Sequence, residues 1–262
     1  MFSFLFSKKK ASPSPANSNC CICKQVLSGK ILRDTWGNAA HHQHRISFCG
    51  SCDRILSNIS SSGAYQYSDG RFICGRCKKT AVLDGVSANR SRRRILEALE
   101  KVGFNEIPKN IEIVLTHQKH LSSHSRQRNT AGLTLTQFHF SQNKRVGLKH
   151  QIGILSGLPK IQFEAILAHE LLHVWQHEQG IKLSSMYAEG LCELGAFLIY
   201  SQDKSDLAQH RIERMLDSKD PVYGNGFRLF HKKLERLGWK KLLREILENK
   251  KGYEKSILKK IF

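Results

Sequence analysis

Apolar residues recur at helical spacing between Pro159 and Gly180. They are Ile161, Ile166, Leu167, Leu171, Leu172 and Trp175, and no proline or run of β-branched residues interrupts them. A proline just before a helix and a glycine just after it are typical helix boundaries. A second helical pattern covers about 184–201, so the sequence predicts two consecutive helices in this region.

Further apolar segments lie on both sides of this pair of helices. Upstream, the pattern predicts a helix over 91–103 that ends at Gly103, strands over Ile111–Leu115, Ala131–Phe140 and His150–Leu155, and a polar loop over Gln118–Thr130. Downstream, it predicts helices over 203–217 and 226–248, with a turn rich in Gly and Pro at 220–228. Residues 81–90 have the composition of a linker. A few strands with several helices predict an α+β domain over 88–250.

Pairs of cysteines and histidines occupy the segment 20–80. They are Cys20 with Cys23, His41 with His44, Cys49 with Cys52, and Cys74 with Cys77, and two residues separate the members of each pair. Seventeen residues lie between Cys23 and His41, and 21 lie between Cys52 and Cys74. Because two thiolates on a tight turn form half of a tetrahedral site in advance, these spacings are a strong signal for zinc.

The four pairs predict two zinc sites that are full, and both are therefore expected to be structural. The first would consist of Cys20, Cys23, His41 and His44, and the second of Cys49, Cys52, Cys74 and Cys77. Cys21 and His42 compete for the first site, with ordinary local surface as the alternative. Each zinc could contribute about 10 kcal/mol or more of folding free energy, which a module of about 60 residues needs.

Composition narrows the class of protein. The chain has 262 residues, which allows one large domain or two smaller ones, and 40% of them are hydrophobic, enough for a core. No run approaches the ~18 apolar residues of a membrane span. Met1–Phe6 precede Lys8–Lys10, the reverse of the order in a secretory signal, so we expect a cytoplasmic protein. In that compartment eight cysteines favour metal binding over disulfides.

The net charge of +20 would attract nucleic acid, anionic lipid or an acidic protein partner. The basic residues are dispersed, and no stripe of basic and aromatic residues is present, so nucleic acid is a minor hypothesis. Residues 1–19 are expected to be a disordered basic tail, and residues 251–262 a basic C-terminal tail.

The first helix of the central pair contains His-Glu-Leu-Leu-His at 169–173. Residues four apart lie on one face of a helix, so His169 and His173 can direct two imidazoles at one metal ion. Glu170 is rotated by about 100° and can reach a metal-bound water instead. This is the zincin arrangement, in which two histidines bind zinc and the glutamate is the general base. The alternative is an amphipathic helix with two incidental histidines.

A zinc peptidase needs a third protein ligand and an open position for water. The second helix offers Glu189 and Glu193, one turn apart, and this arrangement resembles the gluzincin pattern. In that pattern the first acid binds zinc and the second holds a ligand histidine in place. The resemblance assigns Glu189 to the metal and Glu193 to the orientation of His169 or His173. For Glu193, a solvated helix face is the alternative.

Two further features of zincin sites have candidates. In zincins an edge strand beside the active helix pairs with an extended peptide; the strands over 133–138 and 150–155 are the candidates, with a wholly internal strand as the alternative. Many zincins add a Tyr or His that hydrogen-bonds the oxyanion. Tyr223, in the glycine-rich turn, is the candidate, and a tyrosine that simply packs on that turn is the alternative.

Four segments carry a family resemblance: Tyr-Ser-Asp-Gly-Arg at 67–71, Ile-Leu-Ala-His-Glu-Leu-Leu-His-Val-Trp at 166–175, Ala-Glu-Gly-Leu-Cys-Glu at 188–193, and Asp-Pro-Val-Tyr-Gly-Asn-Gly-Phe-Arg at 220–228. Together they resemble the plant organ-size regulators, LIM-domain peptidases switched on by ubiquitin, and their bacterial relatives. The resemblance implies a zincin-like endopeptidase domain of gluzincin type behind a LIM module. It also implies His169, His173 and Glu189 as zinc ligands and Glu170 as the base.

The sequence departs from that family in two places. His44 stands where the first LIM finger commonly has Cys. The 19 residues ahead of Cys20 leave no room for the ubiquitin-interacting helices of the plant proteins. We therefore do not expect ubiquitin dependence or the plant substrates to carry over.

The leading hypothesis is a zinc metallopeptidase that cleaves protein substrates, with Glu170 as general base on a zinc-bound water. The LIM-like module would recruit a partner or substrate. Such a protein would contain about three zinc ions, one catalytic and two structural. The alternatives are a non-catalytic LIM-type scaffold, for which about two zinc ions suffice, and a DNA-associated protease, suggested by the basic charge.

Overall fold

The computed structural model describes residues 19–124, 130–142 and 144–250. The predictions for the tails at 1–19 and 251–262 lie outside these residues, except for Asn19. The described residues form two compact units, one that ends at Lys79 and one that begins at Thr80. We call them unit 1 and unit 2. That residues 20–80 form a LIM-like module and residues 88–250 a zincin-like peptidase domain stays a prediction.

Unit 1 consists of short elements joined by tight turns. They are β1 (Ile31–Arg33), β2 (Ala39–His41), α1 (Asn58–Ser61), β3 (Ala64–Gln66), β4 (Phe72–Cys74) and α2 (Gly75–Lys78). β1 pairs with β2 and β3 pairs with β4, both antiparallel, which gives two sheets of two strands. Because an isolated pair of strands is marginally stable in water, other interactions must stabilise this unit.

Side-chain hydrogen bonds and a small apolar cluster supply part of that stabilisation. Asp34 accepts hydrogen bonds of 2.9 Å from the backbone N–H groups of Trp36, Asn38 and Ile55. The buried apolar cluster consists of Cys20, Cys21, Ala40 and Ile55. A core this small does not by itself stabilise a unit of about 60 residues.

Unit 2 is a mixed domain of helices and strands. Its elements are α3 (Gly85–Val102), β5 (Glu112–Thr116), α4 (Gln118–His124), β6 (Gly132–Ser141), β7 (Lys144–Leu155), α5 (Lys160–Glu178), α6 (Ser185–Ser201), α7 (Asp206–Asp217) and α8 (Tyr223–Glu248). The predicted combination of a small sheet with several helices is confirmed. The zincin-like identity of the domain stays a prediction.

The sheet of unit 2 has the strand order β5-β7-β6. The central strand β7 runs parallel to β5 and antiparallel to β6. Within the described part of the chain, β6 is therefore an edge strand. Of the two candidates for a strand beside a cleft, 133–138 lies in the edge strand and 150–155 lies in the central strand.

α5 is the central helix of unit 2. It packs against α3, α6, β6 and β7, and 13 of its residues are buried, which is typical of a helix inside the core. Trp175 is 1% exposed and meets the ring of Phe104 edge to face, with centroids 5.0 Å apart. The buried carboxylate of Glu164 accepts hydrogen bonds from Ser91 and Arg94 of α3. Apolar and polar contacts together therefore hold α5 in place.

Two boundaries ahead of β6 differ from the predictions. α3 begins at Gly85, inside the predicted linker, because the Asp84 side chain accepts a hydrogen bond of 2.8 Å from the Ser87 N–H and caps the helix. The predicted loop over Gln118–Thr130 is wrong for its first seven residues, which form α4. Residues 125–129 of that loop lie outside the described residues.

The last helix also differs from its prediction. α8 begins at Tyr223, inside the predicted turn, because Asp220 accepts hydrogen bonds of 2.8 Å from the N–H groups of Val222 and Tyr223. Gly238 interrupts it with a φ of 70°, a conformation that glycine adopts without strain. Within the described ranges, no helix has both the length and the apolar character needed to cross a bilayer.

Candidate metal centre

Two helices bring three predicted metal ligands together in unit 2. His169 and His173 lie one turn apart on α5, and Glu189 lies in the first half of α6. The Nε2 atoms of the two histidines are 3.2 Å apart. The Oε2 atom of Glu189 lies 3.1 Å from Nε2 of His169 and 3.3 Å from Nε2 of His173. The three atoms therefore form a nearly equilateral triangle.

The triangle is close to the size that a tetrahedral zinc site requires. Zn–N and Zn–O bonds of about 2.0–2.2 Å at tetrahedral angles place neighbouring ligand atoms about 3.3–3.6 Å apart. The observed edges of 3.1–3.3 Å require an adjustment of a few tenths of an ångström at most. The side chains of His173 and Glu189 are 21% and 20% exposed, so water can reach the cluster.

Small residues let α5 and α6 approach closely enough for these contacts. A Cβ atom on Gly195 would lie 3.0 Å from the carbonyl oxygen of Ala168 and 3.0 Å from Cδ1 of Leu172. Glycine therefore sets the separation of the two helices at this point. The Gln176 side chain adds a polar contact, since its Nε2 donates to the carbonyl oxygen of Ala188 at 3.0 Å.

The second ring nitrogen of each histidine also has a partner on α6. Nδ1 of His169 lies 3.1 Å from Oε1 of Glu193, and Nδ1 of His173 lies 3.4 Å from Sγ of Cys192. The sequence predicts Glu193 as a partner of His169 or His173, and Glu193 lies against His169. The partner of His173 is a cysteine for which the sequence pattern predicts no role.

His169, His173 and Cys192 also form a group whose ligand atoms lie within 4.8 Å of one another. However, Cys192 lies at Nδ1 of His173, whereas Glu189 lies at Nε2 of both histidines. Because an imidazole binds one ion through one nitrogen, Glu189 and Cys192 cannot both complete the same site with His173. The Nε2 side, where three atoms converge within 3.3 Å, is the better candidate.

Glu170 faces the edge strand β6. The hydroxyl oxygen of Thr134 lies 2.7 Å from Oε2 of Glu170 and 3.0 Å from the Glu170 carbonyl oxygen. A Cβ atom on Gly132 would lie 2.5 Å from Oε1 of Glu170, so glycine at this position leaves room for the carboxylate. β6 therefore fixes the side chain that the sequence predicts as the general base.

Tyr223, the predicted oxyanion donor, lies at the same cluster. Its ring stacks on that of His169, with centroids 6.2 Å apart. The first turn of α8, which carries Tyr223, meets α6 at a contact between Gly226 and Gly190. A Cβ atom on Gly226 would lie 2.2 Å from the carbonyl oxygen of Met186. Two glycines therefore allow the backbone contact that brings Tyr223 to the histidines.

Carboxylates dominate the electrostatics of the cluster. Burial opposes a charge on His169, but hydrogen bonds to Glu189 and Glu193 raise its pKa well above the ordinary value. Burial likewise opposes the charge of Glu189, but hydrogen bonds from the two histidines lower its pKa. Burial, followed by the charges of Glu189, Glu170 and Glu193, raises the pKa of the Tyr223 phenol, which stays protonated as a donor. The cluster as a whole favours a bound positive charge.

Unit 1 contains a closed group of four cysteines. They are Cys49, Cys52, Cys74 and Cys77, and they are 0–6% exposed. None of the eight cysteines, all of which lie in the described ranges, forms a disulfide. The Sγ atoms of Cys52 and Cys74 are 3.8 Å apart. Two sulfurs on a tetrahedral zinc with bonds of about 2.3 Å are also about 3.8 Å apart, so this group fits zinc.

The second group in unit 1 consists of Cys20, Cys23, His41 and His44. Sγ of Cys23 lies 3.4 Å from Nδ1 of His41, and Nε2 of His41 donates to the carbonyl oxygen of Val26 at 3.1 Å. This outer contact leaves Nδ1 free to act as a ligand. Nε2 of His44 is buried and has no hydrogen-bond partner, as expected for a nitrogen that faces a metal.

The two competing candidates for this group lie outside it. The Cys21 thiol is buried, which raises its pKa, and it hydrogen-bonds with Ser57 and Ser60. His42 is exposed. The described geometry thus favours the predicted set of four, although their role as ligands stays a prediction.

Sequence reasoning missed three contacts of the unit 2 cluster. Gly132 and Thr134 alternate along a predicted strand and so share a face, but a single sequence does not show which face meets Glu170. Cys192 lies three residues after Glu189, which places it on the same helix face. That spacing was the available signal, and it could have marked Cys192 as a neighbour of the histidines.

Comparison with known proteins identifies similar chains. Residues 88–202 match the model of a family described as DA1-like, Protein DA1. The matched segment includes α5, α6 and the strands of the unit 2 sheet. It therefore contains both predicted ligand histidines as well as Glu170, Glu189 and Glu193.

Three curated plant proteins illustrate the similarity. Protein DA1 of Arabidopsis thaliana is 22% identical in an alignment that covers 79% of this chain and 49% of that protein. Protein DA1-related 2 of the same plant is 24% identical, and the alignment covers 61% of this chain and 35% of that protein. LIM domain-containing protein HDR3 of Oryza sativa subsp. japonica is 23% identical, and the alignment covers 68% of this chain and 43% of that protein.

The chain spans about half or less of the length of these curated relatives. No solved structure matches it. The similarities support the DA1-like family, and they include a LIM domain-containing relative. The resemblance inferred from the sequence is confirmed to that extent.

Proposed function

We propose that the chain is a zinc-dependent metallopeptidase of the DA1-like family that cleaves protein substrates. The observation that carries the proposal is the triangle of His169 Nε2, His173 Nε2 and Glu189 Oε2, with edges of 3.1–3.3 Å. Two histidines and a glutamate, with a position accessible to water, are the zinc ligands of well-known peptidases. The family match over 88–202 supports the proposal because it covers all three residues.

Each side chain around the triangle has a separate task in hydrolysis. His169, His173 and Glu189 would hold the zinc ion, which would supply Lewis-acid chemistry towards a carbonyl and a water. Glu170, held by Thr134, takes a proton from the attacking water and returns it to the leaving amine. Tyr223, as a protonated phenol, donates a hydrogen bond to the carbonyl oxygen as charge develops on it. Glu193 holds the His169 ring in place.

The position of the third donor favours the gluzincin type. Glu189 lies on a separate helix from the two histidines, and Glu193, one turn further on, contacts His169 at 3.1 Å. The edge strand β6 contacts Glu170, so an extended substrate segment could add to β6 beside the base. This arrangement suits an endopeptidase that acts on extended stretches of protein.

Unit 1 would recruit a protein partner or substrate as a LIM-like module. Both of its groups have four donors, so neither keeps an open position for chemistry. The relative named LIM domain-containing protein HDR3 supports this assignment. Cysteines without disulfides suit a reducing compartment such as the cytoplasm. A non-catalytic LIM-type scaffold is the second candidate function, and the two complete groups of four donors are the observation that favours it.

The Glu170→Gln variant tests the proposal because an amide cannot accept the proton. We expect about three zinc ions per chain in wild type and variant alike, by native mass spectrometry. Chelator-sensitive cleavage of an added proteome, read as new N-termini, should fall by about 10²–10⁴-fold in the variant. Equal zinc content in the two proteins would show that the lost step is chemical.

Glu178→Gln is the matched control, because Glu178 lies on the same helix but contacts His150 at 3.0 Å. This control should cleave like wild type. Undiminished cleavage by Glu170→Gln would remove Glu170 as the base. About two zinc ions per wild-type chain, together with no cleavage, would favour the scaffold.

A further inference from the structure

The Nδ1 atoms of the two histidines in the cluster contact different chemical groups. Nδ1 of His169 faces the carboxylate of Glu193 at 3.1 Å. Nδ1 of His173 faces the sulfur of Cys192 at 3.4 Å. Cys192 is 0% exposed, so this sulfur interacts with protein groups and not with solvent.

We propose that Cys192 is a positioning residue that holds the His173 ring with Nε2 directed at the metal. The inference rests on the proposed function, since it assumes that the triangle binds zinc. A histidine that binds a metal through Nε2 carries its proton on Nδ1, and this N–H requires an acceptor. The Cys192 sulfur lies close enough to accept that hydrogen bond.

The position of the sulfur is itself fixed by a second residue. Nε2 of Gln176 donates to Sγ of Cys192 at 3.1 Å and to the carbonyl oxygen of Ala188 at 3.0 Å. Gln176 lies one helical turn after His173 on α5, and Cys192 lies one turn after Glu189 on α6. α5 therefore contributes two candidate ligands and α6 contributes one, and each helix also contributes one residue that supports the His173 ring.

The same geometry argues against Cys192 as a ligand. To share an ion with Cys192, His173 would have to bind it through Nδ1. That side of the ring is opposite Nε2, which lies 3.2 Å from Nε2 of His169 and 3.3 Å from Oε2 of Glu189, so the ion would lose both of these donors. A thiol acceptor also avoids a further carboxylate behind a histidine cluster that Glu189 and Glu193 already contact. Both considerations indicate that the Cys192 sulfur supports the His173 ring and does not bind the metal.

Two substitutions test this role in the full chain. Cys192→Ala removes the acceptor, and Cys192→Ser restores a smaller one. The third zinc is the one proposed to bind His169, His173 and Glu189. We expect the affinity for this zinc, measured by competition with a chelator, to fall about tenfold or more in Cys192→Ala. In Cys192→Ser it should stay within about threefold of wild type, because a hydroxyl also accepts a hydrogen bond.

Ile199→Val is the matched control for loss of buried volume. It removes one buried heavy atom from the same helix, about two turns beyond Cys192, and should leave the zinc affinity unchanged. If Cys192→Ala does not fold, Gln176→Leu takes its place. That variant leaves the sulfur without its donor, so a loss of about threefold in zinc affinity is expected, and no loss would count against the proposal.

Cobalt bound by His169, His173 and Glu189, the third metal site, shows whether Cys192 supports the His173 ring or is itself a metal ligand. With Co²⁺ in that site and zinc kept in unit 1, wild type should show no sulfur-to-cobalt charge-transfer band. Such a band in wild type, lost in Cys192→Ser, would make Cys192 a ligand and overturn the proposal. Unchanged zinc affinity in folded Cys192→Ala would overturn the proposed role of Cys192 but leave the proposed function intact. A wild-type chain that binds no third metal would overturn the proposed function as well.

Discussion

Unit 1 and unit 2 each contain side chains that could hold a metal ion, but the surroundings of these groups differ. The four-cysteine group of unit 1 is 0–6% exposed and supplies four sulfurs. In unit 2, three donors converge, and the side chains of His173 and Glu189 are about one fifth exposed, at 21% and 20%. Full, buried zinc sites are structural, whereas catalytic ones keep a position for water.

The two units also differ in what holds the donors in place. The apolar cluster of unit 1 comprises four buried residues, two of which are cysteines. In unit 2, α5 lies in an extensive core that includes the fully buried Phe163 and Phe230. We therefore expect unit 1 to need metal in order to fold, and unit 2 to present its donors from helices that pack without it.

The largest expected effect is the contrast between Cys52→Ala and His173→Ala. Cys52→Ala removes one of four proposed zinc ligands from unit 1. Because zinc would contribute about 10 kcal/mol or more to the folding of this unit, the unit should unfold. His173→Ala should lose the third zinc while α5 and α6 stay folded. Hydrogen exchange read by mass spectrometry should therefore show lost protection before residue 80 in the first variant and retained protection after residue 80 in the second.

Cys21→Ala is the control for this contrast, because Cys21 is buried in the same unit but lies outside both groups of donors. It should cost only about 1 kcal/mol and leave unit 1 protected. Retained protection of unit 1 in Cys52→Ala, or a melted α5 in His173→Ala, would remove the distinction between the two units.

The sequence predicts these two units unequally. The paired spacing of the cysteines indicates the unit 1 groups directly, because each pair is local in the chain. In unit 2 the helices α5 and α6 follow from periodicity, since long helical patterns are the most reliable signal. The strand order of the sheet does not follow, because pairing Glu112–Thr116 in parallel with the distant β7 depends on contacts that no local pattern encodes.

Gly226→Ala should give the next largest effect and sharpen the comparison. The new Cβ atom would lie 2.2 Å from the carbonyl oxygen of Met186 and 2.9 Å from Cα of Gly190, and backbone cannot yield as a side chain can. Overpacking of this kind costs about 1–3 kcal/mol. Thermal melts should show that loss. Zinc competition should show weaker binding of the third zinc, because α6 carries Glu189, although no ligand is changed.

Gly85→Ala is the matched control, since a Cβ atom at this exposed helical position meets nothing within 4 Å. It should leave zinc affinity unchanged and stability equal or higher by up to about 1 kcal/mol. If Gly226→Ala lowers stability without weakening the third zinc, packing of α6 against α8 does not set the geometry of the cluster. The view that unit 2 holds its donors by packing would then be wrong.

The candidate site divides in the same way into predictable and unpredictable parts. His169, Glu170 and His173 follow from one local motif, and Glu193 follows from the resemblance to the gluzincin pattern. The contact between Gly226 and Gly190 does not, because it joins residues 36 positions apart and leaves no local pattern. The contact of Thr134 with Glu170 cannot be predicted for the same reason, since the two residues are 36 positions apart.

Thr134→Val should give the smallest of these effects, confined to the chemical step. The substitution removes the hydroxyl that lies 2.7 Å from Oε2 of Glu170 and leaves the metal donors untouched. Without this contact Glu170 is no longer held in one orientation. Since misplacement of a reacting group can cost up to about 10²-fold in rate, kcat should fall by about tenfold or more at unchanged zinc content. Thr134→Ser, which keeps the hydroxyl, should restore most of the rate.

Thr136→Val is the matched control, because the Thr136 hydroxyl lies on the same face of β6 but contacts Nδ1 of His150 at 2.9 Å. It removes the same atoms two residues further along the strand and should leave kcat unchanged. An equal fall in both variants would mean that β6 acts through stability, and no fall in Thr134→Val would mean that the carboxylate needs no support from the strand. A fall in Thr134→Val alone would extend the comparison. Unit 2 would then hold both its metal donors and its base by packing and hydrogen bonds, whereas unit 1 is expected to rely on the metal itself.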